Sequence, residues 1–198
     1  MKKLLIILII IFVLIGGGIF YLLQPKTLGI SYTAEDLTSF KNKINVTYEP
    51  LPTNTPLGRT LIVSGSHAVD QSFNSQELTA AVDNRHRVYS YFPFRKVQIR
   101  INSDGSVEGS ATVNYEDAVN YLLSLGVSSA DISEGTNKFK IPNTNLPVYL
   151  KVSGSVINNK SQIDIQQAQI ANISVPKNLI DEYGPGLNGL IESIIKDR

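Results

Sequence analysis

Val97-Gln-Ile-Arg-Ile-Asn-Ser-Asp-Gly-Ser-Val-Glu-Gly-Ser-Ala-Thr-Val113 decides the fold class. Val97, Ile99 and Ile101 alternate with Gln98, Arg100 and Asn102. Past the turn, Val107, Gly109, Ala111 and Val113 alternate with Glu108, Ser110 and Thr112. Successive side chains of a β-strand point to opposite faces, so a period of two marks a strand on each arm. Asp104-Gly105 between the arms supplies the backbone freedom of a tight turn. The stretch therefore predicts an antiparallel hairpin with one apolar face toward a core and one polar face toward water.

A second hairpin is written the same way. Val148, Leu150 and Val152 lead to Asn158-Asn159, and Ile163 and Ile165 return. Apolar parity slips between Ile165 and Ala168, which predicts a bulge near Gln166-Gln167. Ile170, Ile173 and Val175 then complete one long strand. Helices surround the hairpins. Thr33-Ala-Glu-Asp36 and Asn74-Ser-Gln-Glu77 are capping signals. They lead into Leu37, Phe40 and Ile44 on one helix, and into Leu78, Ala81 and Val82 on another. A third helix covers residues 115–125 and stops at Gly126; a fourth carries Leu179, Ile180, Tyr183, Leu187, Leu190, Ile191 and Ile194 at helical spacing. Residues 27–32 and 60–64 read as short strands, residues 45–58 as a connector with three prolines, and residues 128–147 as loop.

The N-terminus sets the context. From Leu4 to Leu23 the chain holds 20 residues without a charge. As a helix at about 1.5 Å per residue, that length covers a hydrocarbon core of about 30 Å. Lys2 and Lys3 precede the run, and Glu35 and Asp36 follow it beyond the single Lys26, so the positive-inside rule leaves the N-terminus in the cytoplasm. A cleaved signal peptide competes, with Gly16 and Gly18 small enough for a cleavage site. Ile19-Phe-Tyr-Leu-Leu argues against it by extending the apolar run past that point. The expected fold class is α+β: an N-terminal transmembrane helix, then a curled antiparallel sheet of hairpins packed against amphipathic helices. The expected domains are a cytoplasmic N-terminus at 1–3, a transmembrane anchor at 4–23, and an extracytoplasmic α+β domain at 24–198.

Composition narrows the chemistry. The 18 Lys and Arg residues, less Lys2 and Lys3, leave 16 against 17 Asp and Glu, so nucleic acid is not the expected partner. With no cysteine there are no disulfides, thiolate metal sites or cysteine nucleophiles. Gly184-Pro-Gly-Leu-Asn-Gly189 matches G-x-G-x-x-G, yet only nine residues follow it, too few for a dinucleotide fold; a helix kink or break is the reading. His67 and His86 are the only histidines, and neither has a second ligand at helical spacing. Ser64 and His67 are near neighbours in sequence, but no nucleophile-elbow motif surrounds them. The acid pairs Glu35-Asp36, Glu116-Asp117 and Asp181-Glu182 sit at or near helix starts, where the helix dipole favours carboxylates. Asp104 is explained by its turn. No catalytic, cofactor or metal residue is assigned, and no enzyme activity is expected.

The one stretch with a binding reading is aromatic. Tyr89, Tyr91, Phe92 and Phe94 lie among Arg85, Arg87, Arg95 and Lys96. They suit contact with a membrane surface or the mouth of a ligand site. They equally suit an edge strand with alternate rings in the core.

Two long stretches carry a resemblance: SFNSQELTAAVDNR…FPFRKVQIRINSDGSVEGSATV, then LPVYLKVSGSVINNKSQIDIQQAQIANISVPKNLIDEYGPGLNGLIESII. Their plan, an ELTA helix, a hairpin around Asp-Gly and a second hairpin ending in Val-Pro before a last helix, resembles small anchored bacterial envelope proteins. It is similar to the tubular lipid-binding (TULIP-like) proteins, including the YpmS-like anchored proteins. That resemblance implies a curled sheet around a long helix and a hold on an acyl chain or other apolar ligand; it transfers no functional residue. The expected function is a membrane-anchored extracytoplasmic binding or accessory protein, with lipid or an envelope protein as partner. The alternative is an envelope scaffold without a ligand, and the third reading an envelope hydrolase with dispersed acids.

Overall fold

The computed structural model describes residues 21–46, 68–89, 91–124, 126–138, 140–158 and 160–196. The chain is α+β. Five strands, β1 (Phe94–Ile101), β2 (Val107–Val113), β3 (Leu146–Ile157), β4 (Lys160–Ile170) and β5 (Ile173–Ser174), lie side by side in chain order, each antiparallel to the next. Among the described residues the α-helices with both ends in view are α1 (Ala34–Ile44), α2 (Ser75–Asp83), α3 (Tyr115–Ser124), α4 (Ser129–Lys138) and α5 (Lys177–Lys196).

Local chemistry accounts for most boundaries. Thr33 and Asp36 close a capping box on α1, and Asn74 and Glu77 close one on α2. Gly105 turns at φ +80°, and Asp104 Oδ1 accepts the Ser106 N–H at 2.9 Å, which fixes the β1–β2 turn. On β4, Gln166 has no partner between Val152↔Ile165 and Lys151↔Gln167, so the bulge falls where the parity slips. A second bulge lies in β1 between Arg95 and Gln98, with Lys96 at φ +53°.

The two outer margins of the sheet are covered by helices through one device. On α2, Ser75, Thr79 and Asp83 recur every fourth residue. The Ile101 N–H donates to Ser75 Oγ at 2.9 Å, the Ile99 N–H to Thr79 Oγ1 at 2.9 Å, and the Val97 N–H to Asp83 Oδ1 at 2.8 Å. Four residues of helix advance about 6 Å and two residues of strand about 6.6 Å, so the two repeats stay in step. At the other margin, Asn188 and Glu192 of α5 serve β4. Asn188 accepts from the Ile163 N–H at 2.9 Å and donates to its carbonyl at 2.9 Å, while Glu192 Oε1 accepts the Ser161 N–H at 3.0 Å. One turn earlier Gly184 faces the same strand, with Ile165 Cδ1 3.8 Å from where a Cβ would stand, an ordinary contact distance. Side-chain hydroxyls, amides and carboxylates thus satisfy edge groups that otherwise recruit another strand.

Both faces of the sheet around the first hairpin are covered: Val97, Ala111 and Leu146 are buried on the apolar face, as expected, but the polar face is covered as well, which was not expected. Glu108, Ser110 and Tyr149 are buried, whereas Val107, Gly109, Val148 and Leu150 are half-buried. The cause is residues 25–32, which run over that face as an extended strap and not as the expected strand. Gln98 Oε1 accepts the Leu28 N–H at 2.8 Å and the Ile30 N–H at 3.4 Å, Leu28 is buried, and Lys26 Nζ lies 3.5 Å from the centre of the Tyr149 ring.

Several expectations are corrected. The fold class was expected to include an N-terminal transmembrane helix. Among the described residues no helix is long and apolar enough to cross a membrane. The longest, α5, has 20 residues, but it is amphipathic and carries Lys177, Asp181, Glu182, Glu192 and Lys196. Of the run from Leu4 to Leu23, only residues 21–23 lie within the described set. The Pro-rich connector lies almost wholly outside it, as do the strand at 60–64 and the Ser64 and His67 pair. Residues 128–147 are not all loop: Ser128 Oγ accepts the Asp131 N–H at 3.1 Å and starts α4. The long strand ending at Val175 is instead two strands. Ala171 and Asn172 both take positive φ, 51° and 58°, and fold β5 back on β4. Finally, α5 runs on through Gly184-Pro185-Gly186 without a break.

Candidate functional site

The aromatic stretch is divided among three environments. Phe92 is buried; its ring lies 5.5 Å from Phe94 and 6.4 Å from Tyr121, both edge-on, which ties the start of β1 to α3. Arg95 holds the same junction: its guanidinium donates to the Phe92 carbonyl and pairs with Asp117 at 2.7 Å. Tyr91 is half-buried at φ +64°, a left-handed conformation that reverses the chain before Phe92. Tyr89 faces elsewhere, toward the helical pair, with the Arg85 guanidinium 5.0 Å from its ring centre.

That helical pair makes the candidate site. α1 and α2 pack antiparallel: Tyr32, just before α1, donates to Asp83 at the end of α2 at 2.8 Å, and Lys43 at the end of α1 pairs with Glu77 near the start of α2 at 2.8 Å. Between them lies an apolar groove of about 240 Å³, walled by Leu37, Phe40 and Ile44 on one side, and by Leu78 and Val82 on the other, with Tyr89 at its end. The helical spacing read from sequence is what aligns these walls. Two larger clefts are shallower. One of about 610 Å³ runs beside α1 among Glu35, Ser39 and Lys43, and one of about 450 Å³ separates α3 from α4. The smaller groove is the candidate because it is the most enclosed and the most apolar of the three.

The buried carboxylates are committed to structure. Lys43 and Ser39 hydrogen-bond Glu77, and the Asn74 N–H adds a third donor. Together they hold its carboxyl down at about 2 against the opposing effect of burial. Burial pushes Glu108 up, but Tyr149, Arg100 and Asn102 all donate to it and bring it to about 2. The same burial, with Glu108 beside it, raises the Tyr149 hydroxyl to about 12. Two carboxylates this acidic and this fully donated to are poor proton acceptors at neutral pH. The acid pairs serve local roles: Asp36 caps α1, Asp117 pairs with Arg95, and Asp181 pairs with Lys177 at 2.8 Å. Among the described residues no three His, Asp or Glu side chains gather as metal ligands.

Sequence reasoning did not find Gln98, Asn172 or Asn188, whose amides bind backbone far away along the chain. Their signal was weak: each is a polar residue whose local pattern is satisfied by exposure to solvent, so nothing nearby in sequence points to the distant backbone it binds. No family model, curated protein or solved structure matches this chain.

Proposed function

We propose that this chain is a membrane-tethered accessory protein of the cell envelope that binds an apolar ligand between α1 and α2. The uncharged run from Leu4 to Leu23 holds it at the cell membrane, with the N-terminus cytoplasmic and the α+β domain extracytoplasmic. The groove is the observation that supports binding. Its volume of about 240 Å³ lies below the ~300–1,000 Å³ of sites that enclose a whole small molecule. It therefore suits a short apolar group: the end of an acyl chain, as the resemblance to tubular lipid-binding proteins implies, or one apolar side chain of an envelope protein.

The test fills the groove. Ala81 lines it, and Ala81→Trp blocks it. The full chain, reconstituted in nanodiscs, is titrated with a fluorescent fatty acid, and its co-purifying lipids are identified by mass spectrometry. Saturable uptake by the wild type, lost in the Trp variant, is the expected result. Equal uptake by both refutes the groove as the site. No uptake by either, with no lipid retained, leaves the second reading, an envelope scaffold without a ligand.

A further inference from the structure

One end of the sheet gathers the points where the chain leaves its apolar N-terminal run. The register places Phe94, Val113, Leu146 and Ile170 at that end, and the β4–β5 turn at its corner. At the turn, Asn172 Nδ2 donates to the carbonyls of Tyr21 and Gln24 at 3.0 and 2.9 Å, bonds that span about 150 residues of sequence. The segment after the run is fastened further on: Lys26 rests on Tyr149, and Leu28 is clamped by Gln98. Residues 21–30 are thus pinned to the sheet at three successive points.

Around Asn172 the surface is apolar. Ile173 is 62 % exposed, Ile170 42 %, Tyr21 70 % and Leu23 44 %. Two of these four flank the asparagine in the turn, and two lie in the segment it grips. The apolar run ends at this corner, which commits the occupant of the surface to lipid. We propose that the β4–β5 turn, through Ile170 and Ile173, docks on the bilayer surface, with Asn172 fixing the domain to the end of the tether. This rests on the membrane-tether reading above. Docking needs little intrinsic affinity, because the tether makes it an intramolecular event at high effective concentration. Tyr21 lies where interfacial aromatic rings prefer to sit, between apolar and aqueous surroundings. The domain then stands upright on the membrane. The far hairpin tip at Ile157 lies nine residues along β3 from Val148, the partner of Ile170, about 30 Å away at ~3.3 Å per residue.

The chain has no cysteine, so single labels are clean. Ile173→Cys and Ile157→Cys, both at exposed positions, are each labelled with an environment-sensitive fluorophore in the full chain. The protein is reconstituted in phosphatidylethanolamine–phosphatidylglycerol vesicles containing nitroxide-labelled lipid. Strong quenching at 173 with none above background at 157 is the expected result. In the Asn172→Gly background quenching at 173 falls, because glycine keeps the positive-φ turn while removing the amide. Equal, weak quenching at both positions in protein that floats with the vesicles overturns the docking and leaves the tether standing. Protein that does not float overturns both. Undiminished quenching with glycine at 172 overturns the role of the asparagine.

Discussion

Replacing Thr79 by valine separates the helix-on-edge device from ordinary packing. Thr79 is 1 % exposed, and its Oγ1 accepts the Ile99 N–H at 2.9 Å and donates to the Ile99 carbonyl at 3.2 Å. Valine keeps the shape and exchanges the hydroxyl for a methyl, so the change opens no cavity. Both Ile99 groups face away from β2 and have no strand partner on that side, so both lose their hydrogen bond in a buried position. A buried polar group left unpaired costs about 1–3 kcal/mol. The carbonyl bond is the longer of the two, so the pair is expected to cost about 2–4 kcal/mol. That is a large share of the ~5–15 kcal/mol that stabilises an ordinary domain. The assay is urea unfolding of the full chain in detergent, followed by far-UV circular dichroism because the chain has no tryptophan. Thr79→Ser is the control: it keeps the hydroxyl and loses one methyl, about 1 kcal/mol. A valine variant that loses less than about 0.5 kcal/mol, or no more than the serine variant, refutes the argument that this hydroxyl stands in for a neighbouring strand.

At the opposite margin, Asn188→Ala removes the bonds to Ile163 and Ser161 and is expected to cost about 1–3 kcal/mol, with faster amide exchange at Ile163 as the local readout. Gly154→Ala is expected to destabilise by roughly 2 kcal/mol or more in the same urea assay, since φ is +140° and the added Cβ lies 2.0 Å from the Gln162 carbonyl oxygen. Glu77 and Glu108 are both held at about 2, below an unfolded value near 4.5, so their stabilising contribution is complete above about pH 5 and is lost as pH falls toward 2. Glu77→Gln should flatten that acid limb of a stability-against-pH profile. Tyr149 gives the mirror case: raised to about 12, it contributes fully below its ordinary value of 10, and that contribution disappears between pH 10 and 12.

The hairpins and capped helices were legible because their signals are local. Alternation around Asp104-Gly105, the Thr33 and Asn74 boxes and the parity slip near Gln166 each lie within a few residues of what they specify. The features that were missed depend on partners distant in sequence. Ser75, Thr79 and Asp83 look like an ordinary solvated stripe until β1 is laid against them. Glu108 looks solvent-facing until residues 25–32 cross over it. The Ala171-Asn172 turn lacks the glycine that flags a tight hairpin, and α4 has so few apolar residues that its period does not register. The groove between α1 and α2 was half legible. Its walls were present as two helical faces, but nothing local said that they oppose each other or that Tyr89 closes one end. Phe92 is buried, with Phe94 half-buried beside it.

Two helices seated along the flanks of a sheet also set a kinetic threshold for self-association. Strand addition by a second copy needs a vacant ladder, and here vacancy follows only when α2 or α5 peels away. The nine residues of α2 and the side-chain bonds from Ser75, Thr79 and Asp83 therefore guard the β1 ladder as well as stabilise it.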